Sequence, residues 1–259
     1  FSLIWGVMNI VDLAQGAYLT LGAYITYWLF QLWGIDPFLT LPVSALILFG
    51  LGYLIESQII KRVLRYGFIM ILVVTYGLNL LLQNAMLVAW SADYRSVVTA
   101  YSGAGLSLGN VTIPYIRLAI FIAALLLVGI LTLFLNKTKM GNAIRATSLN
   151  RQAASYVGVR TEFIYALTYG LAAALVGMAG SLISMVYTVS PLLGGSFMTK
   201  IFVVTVLGGF GNLHGAVLGG LILGVTEALT ASYLAPGLIN AISFILLVLI
   251  LIIRPQWLF

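Results

Sequence analysis

An acid or an amide inside an apolar helix is costly to keep in lipid, so such residues mark where a membrane chain can do chemistry. Glu227 interrupts two long apolar runs. Asp12 is flanked by Asn9 and by Gln15-Gly16, and Asn79 and Gln83, four residues apart, share one helix face bordered by Asn84. Such groups can pair charge or exchange hydrogen bonds with a polar solute, or with a neighbouring helix. For Asn79 and Gln83 the plain account is interhelical hydrogen bonding, for Glu227 a structural or interfacial site, and for Asp12 a helix terminus. Asn9 and Gln15 are the better candidates for contact with a solute.

Covalent and metal chemistry have little to work with. Cysteine is absent, which excludes disulfides, thiol nucleophiles and cysteine-ligated metals, and the single histidine, His214, cannot build a histidine cluster. No GxxxxGK[ST] segment occurs, so the chain lacks the loop that cradles a nucleotide triphosphate. The block VLGGFGNLHGAVLGGLILG resembles a dinucleotide loop only superficially, since a cofactor loop needs a preceding strand and a following acidic residue within a soluble βαβ unit. Close helix packing explains it better, through the GxxxG pairs Gly215/Gly219 and Gly220/Gly224. Gly208, Gly209 and Gly211 add a helix break that would bare backbone carbonyls and amides, which a membrane chain tolerates only in protein or beside a water-filled cavity.

The segment TKMGNAIRATSLNRQAASYVGVR, residues 138–160, is long, basic and amphipathic. Connections between packed helices are usually far shorter. It reads as two short helices, with Ala143, Ala146, Ala153 and Ala154 forming a smooth surface, Gly141 and Gly158 as punctuation, and Arg145 and Arg151 as charges. Such a ledge suits docking by another protein; the competing reading is an amphipathic loop resting on anionic lipid headgroups.

Seven charge-free apolar stretches of at least 18 residues position these groups, the longest covering 163–199. A hydrocarbon core about 30 Å thick needs roughly 20 helical residues, so each stretch can span a bilayer. With 62% hydrophobic and 7% charged residues, the chain cannot coat a water-soluble globule. Runs such as FIAALLLVGILTLF do not alternate, so the spans are helices and not barrel strands. The pattern predicts an all-α, polytopic membrane protein with crossings near 13–35, 38–55, 67–92, 118–136, 161–189, 196–208, 215–233 and 238–253. Ser190-Pro191 and Gly194-Gly195 divide the longest run.

Loop charge sets orientation. Lys61, Arg62 and Arg65 make 61–66 basic, and Lys137, Lys139, Arg145, Arg151 and Arg160 do the same for 137–160. Both face the cytoplasm by the positive-inside rule, the polar segment 91–113 lies on the opposite side, and Arg254 returns to the cytoplasm. The net charge of +6 is a topology signal and not a nucleic-acid footprint. Trp28, Trp33, Trp90 and Trp257 are placed as interface anchors. Phe1 opens the chain without a methionine or a signal-peptide pattern, so an earlier helix is expected. A single membrane domain covers 1–259.

Three blocks in order carry a resemblance: FSLIWGVMNIVDLAQGAYLTLGAY, MGNAIRATSLNRQAASYVGV and VLGGFGNLHGAVLGGLILGVTEAL. The chain resembles the branched-chain amino-acid permeases of ATP-binding-cassette importers, of the LivH type, over nearly its whole length. Two departures stand out. Gln15-Gly16-Ala17 replaces a His-Gly-Glu found in many members, and Asn142 and Asn150-Arg151 occupy positions that often carry basic and acidic residues. Gln83-Asn84 matches a Gln-Asn pair in the family.

The resemblance implies a non-enzymatic importer half in the inner membrane, without cofactor or metal. Its partners would be two cytoplasmic ATPases docked on 138–160, a second permease subunit, a periplasmic solute-binding protein and membrane lipid. The implied cargo is a branched-chain or other hydrophobic amino acid, with urea or a short amide as the alternative. An ATPase-independent channel or secondary carrier is a further alternative, but a proton-coupled carrier would show several membrane acids or histidines where this chain offers only Glu227 and His214.

Overall fold

The computed structural model describes residues 1–253 except 100, 102, 109 and 110. Arg254 and Trp257 lie outside the described residues. The helices are α1 Ser2–Met8, α2 Gln15–Trp33, α3 Leu41–Ile55, α4 Lys61–Val63, α5 Phe68–Trp90, α6 Tyr115–Lys137, α7 Lys139–Leu149, α8 Arg151–Tyr156, α9 Thr161–Ile183, α10 Leu193–Gly208, α11 Leu213–Tyr233 and α12 Ile239–Ile253. Among the described residues five helical segments are long and apolar enough to cross a bilayer: Leu41–Tyr66, Phe68–Trp90, Tyr115–Lys137, Thr161–Ile183 and Leu213–Tyr233.

The bundle is built around α9, whose most extensive contacts are with α3 and α2. Small residues make this possible. Gly22 faces the Gly177 backbone, Gly180 faces the Leu19 carbonyl, and a Cβ on Gly52 would stand 2.6 Å from that of Ala173. Side chains at these crossings would hold the helices apart, and in lipid close approach is what drives association. Outward, α6 shows Phe121, Ile122, Leu125, Leu126, Ile130 and Leu133, which suits contact with acyl chains.

Expectation and structure differ at four places. The basic segment 61–66 is not a loop: α3 runs on through a π-helical turn, Glu56–Ile60, and α4 into a 3-10 turn ending at Tyr66. The wide turn lets Glu56 tuck inward and leaves Lys61 to pair with Glu162 at 2.7 Å. The second difference is a departure from the all-α expectation in 91–113, where Gly105–Leu108 and Val111–Pro114 pair as antiparallel strands β1 and β2. Third, the run read as 13–35 is preceded by a short helix and a break over 9–14. Asn9 adopts a left-handed conformation, φ 53°, while donating its backbone N–H to Trp5 O. Last, α9 ends at Ile183, and Leu193 already opens α10.

The two ends of the bundle are distinguishable. Lys61–Glu162 gathers the basic segment 61–66 and the start of α9 at the end that carries α7 and α8. At the other end Arg95 and Val189 exchange two backbone hydrogen bonds, and Tyr101 donates its hydroxyl to Asp36 at 2.9 Å. Burial and the Asp36 carboxylate push the Tyr101 pKa up to about 12. The Arg95 guanidinium donates to Trp90 O and lies over the rings of Tyr27 and Trp28, while Trp90 stacks on Tyr24. Basic residues therefore gather opposite the 91–113 segment, as the charge pattern requires.

Candidate functional site

At the break before α2, Asp12 is fully buried. Its carboxylate accepts from the Ala14 backbone N–H at 2.9 Å and from the Gln15 amide at 2.5 Å, an anion at the positive end of α2. Tyr18 and Tyr169 hydroxyls, 3.2 Å apart, close the cluster between α2 and α9. Gln15 is also fully buried, and its Oε1 has no hydrogen-bond partner. Thr75 of α5 reaches the Val11 carbonyl across the break at 3.5 Å.

Gly16 sits where α2 meets α10, its backbone against Gly194. Thr20 fastens this crossing by donating its hydroxyl to Gly16 O and accepting from Gly194 N–H. Asn79 and Gln83 are partly exposed on α5 and neither side chain is bonded among the described residues; Asn84 donates to Leu80 O in its own helix. Asn9 is exposed.

Glu227 stands apart from that group. It accepts from Lys200 Nζ at 2.7 Å and from Ser243 Oγ at 3.3 Å, so that α10, α11 and α12 meet at one carboxylate. Lys200 was legible only as the end of an apolar run, because nothing local announces a partner 27 residues away.

Gly208, Gly209 and Gly211 form the tight turn between antiparallel α10 and α11. Gly208 touches Gly215 backbone to backbone, and Gly209 and Gly211 hold φ near 80° and 78°, a region open to glycine. Gly211 in turn abuts Gly6 of α1, and Trp5 packs on Phe210. The short helix α1 thus joins the Gly-rich turn to the break at Asn9. Of the two GxxxG pairs, Gly215 and Gly219 meet α10, whereas a Cβ added at Gly220 or Gly224 would meet no other element within 4 Å among the described residues.

The 138–160 segment folds as two capped helices. Thr138 Oγ1 accepts from Gly141 N–H to start α7, and Asn150 Oδ1 accepts from Ala153 N–H to start α8. Gly141 is packed on the Leu135 and Phe134 backbone at the end of α6, and Gly158, φ 88°, ends α8 in open space. Arg145 is exposed and bonds the Asn136 and Asn142 side chains. Ala154 is buried, Ala143 and Ala146 are half-buried and Ala153 is exposed. The sequence reading, which favoured small residues, passed over Leu149, Tyr156 and Val157, each at least 80% exposed. Apolar side chains at polar loop positions were the available signal. Ile144, on the opposite face, is buried beside α1 in the main core.

A family model for the permease component of branched-chain amino acid transport systems matches residues 1–252. The chain belongs to this permease family. The permease is 31% identical over 269 residues to the high-affinity branched-chain amino acid transport system permease protein BraD of Pseudomonas aeruginosa, covering 98% of this chain and 87% of that one. It is 28% identical to LivH of Escherichia coli K12, with the same two coverages, and 31% identical to a probable LivH of Methanocaldococcus jannaschii, covering 98% and 84%. A D-allose transport system permease protein of E. coli, AlsC, is 25% identical over 83% of this chain. No solved structure matches.

Proposed function

We propose that this permease is the membrane-spanning subunit of an ATP-driven importer for branched-chain or other hydrophobic amino acids in the inner membrane. The family match across residues 1–252 carries the reading. Relatives named for branched-chain amino acids favour that cargo over urea or a short amide. Eight crossings are formed by α2, the Leu41–Tyr66 rod, α5, α6, α9, α10, α11 and α12, which leave 138–160 and the Gly-rich turn on the cytoplasmic side.

In this reading α7 and α8 are the coupling element. Cytoplasmic ATPases seat on Leu149, Tyr156 and Val157, with Gly141, Ala143, Arg145, Ala146, Arg151, Ala153, Ala154 and Gly158 shaping and orienting the ledge. Burying three exposed apolar side chains supplies roughly 1.5–3 kcal/mol each. Motion passes through Ile144 to α1, and from α1 to the break at Asn9 and to Gly208, Gly209 and Gly211. Asn9, Gln15, Gly16, Asn79, Gln83 and Glu227 are assigned to the path that a second permease subunit completes, and a periplasmic binding protein delivers solute to the 91–113 end.

Gentle purification of the protein from its native membrane, followed by mass spectrometry of what accompanies it, tests the assembly. An ATPase that is present with the wild type and lost when Leu149, Tyr156 and Val157 are made serine establishes the reading. Isolation without any ATPase in several mild detergents would turn it toward a channel or secondary carrier.

A further inference from the structure

Glu56 is 1% exposed and its Oε2 has no hydrogen-bond partner among the described residues. A buried carboxylate without a partner is costly, and side chains in this state are found opposite a compensating charge or a ligand. Glu56 lies in the π-helical turn at the end of α3, a local distortion that recurs at functional positions. It lines a cavity of about 270 Å³ together with Met8, Leu64, Arg65, Arg151 and Tyr165. That is just below the ~300–1,000 Å³ typical of small-molecule sites.

The charges in this cavity are complementary to a dipolar molecule. Lys61 and Glu162 also reach it but neutralise each other at 2.7 Å. Arg151 has no carboxylate within ion-pair distance among the described residues and rests its guanidinium 4.8 Å over the Tyr165 ring. Arg65 likewise has no acid partner among the described residues and donates to the Tyr66 hydroxyl. A buried carboxylate with one unpartnered oxygen thus lines the same cavity as two guanidinium groups that have no acid partner among the described residues, together with apolar surface from Met8 and Leu64. A simple cation would meet the arginines and a simple anion would meet Glu56, whereas a molecule bearing both charges satisfies each wall.

We propose that this cavity is a cytoplasmic binding site for a free zwitterionic amino acid with a short aliphatic side chain. Glu56 receives the ammonium group, Arg65 and Arg151 receive the carboxylate in charge-assisted hydrogen bonds, and Met8 and Leu64 cover the side chain. The choice of an amino acid rests on the cargo reading above. Arg151 opens α8, so an occupant bridges the coupling element to α3 and α9 and restrains it. The released product would then slow further import from inside.

The test uses the purified complex without its solute-binding protein and radiolabelled leucine as probe, in equilibrium dialysis. Saturable binding is expected, with Glu56→Gln and Arg65→Gln each weakening it roughly ten- to hundredfold, the loss set by one charge-assisted bond. 4-Methylpentanoate, which lacks the ammonium group, and 3-methylbutylamine, which lacks the carboxylate, should compete at least about tenfold worse than leucine. In proteoliposomes, leucine loaded on the cytoplasmic side should lower ATP-driven uptake in the wild type and not in Glu56→Gln. No binding by the wild type, binding that both variants retain, or equal competition by the singly charged analogues would overturn the proposal. Absence of leucine uptake from outside would instead undo the cargo reading, and the dialysis result stands independently of it.

Discussion

Lys200 and Glu227 form a 2.7 Å ion pair between α10 and α11, and Ser243 brings α12 to the same carboxylate. Both side chains are about one-fifth exposed, so the pair sits in the apolar zone with little water to replace a lost partner. Its energetics follow from that asymmetry: one charge alone is penalised, whereas two together, or none, are tolerated.

Glu227→Leu or Lys200→Met should each destabilise the protein by about 3 kcal/mol, and the double substitution Lys200→Met/Glu227→Leu should recover most of the loss. Thermal unfolding in detergent measures the cycle. Solute uptake by the double variant decides the further role of Glu227: stable protein with abolished uptake assigns it to the path, and normal uptake leaves it as a fastener.

Glycines that look alike in sequence should differ sharply on substitution. Gly22→Ala drives a methyl into the Gly177 backbone and should cost about 2 kcal/mol, while Gly224→Ala, with open space around it, should stay within about 0.5 kcal/mol. Gly209→Ala probes the turn itself, because its surroundings are open and only φ near 80° opposes a side chain, at roughly 1–2 kcal/mol. Uptake should fall in Gly209→Ala with ATPase binding retained. Gly208→Leu is a poorer probe, since it would collide with Gly215 and part α10 from α11.

On the coupling ledge, Arg145→Glu and Tyr156→Ser should abolish solute-stimulated ATP hydrolysis in the assembled complex while the melting temperature of the subunit is unchanged. Both side chains are exposed, so folding does not depend on them. Gly141→Leu should fail differently, by disrupting the packing of α7 on the end of α6. Undiminished ATP hydrolysis in Arg145→Glu and Tyr156→Ser would remove the docking role.

The hydrogen bond from Tyr101 to Asp36 ties the 91–113 segment to the α2–α3 connection, and it should have a defined pH range. The folded hydroxyl titrates at about 12, above the ~10 of an unfolded tyrosine, so the tether is fully present below about pH 10 and is lost as pH rises toward 12. Melting curves of wild type and Tyr101→Phe should therefore differ by a constant amount up to about pH 10 and converge above it. A difference that already fades at neutral pH would show that the bond is not the source.

Hydropathy is additive along the chain, so the apolar runs were readable residue by residue, and helices over 68–90, 115–137 and 213–233 follow from it. The basic segments marked one end for the same reason, and 138–160 was readable as two short helices, although the caps at Thr138 and Asn150 that start α7 and α8 emerge only from the structure. Partnership between distant residues is not a local property. Gly22 finds Gly177, Lys200 finds Glu227 and Glu56 shares a cavity with Arg151 only after helices far apart in sequence are brought side by side. The break at Asn9 was hidden for a related reason, because the hydrogen bonds that hold Asp12 and Gln15 there compensate a conformation that local propensity alone does not favour. The sequence by itself determined which segments enter lipid and which end carries positive charge, since both depend on transfer of each residue from water. Tertiary structure alone decided which glycines are seams, which charges are paired and where an unpaired carboxylate faces a cavity, since those depend on distances between segments.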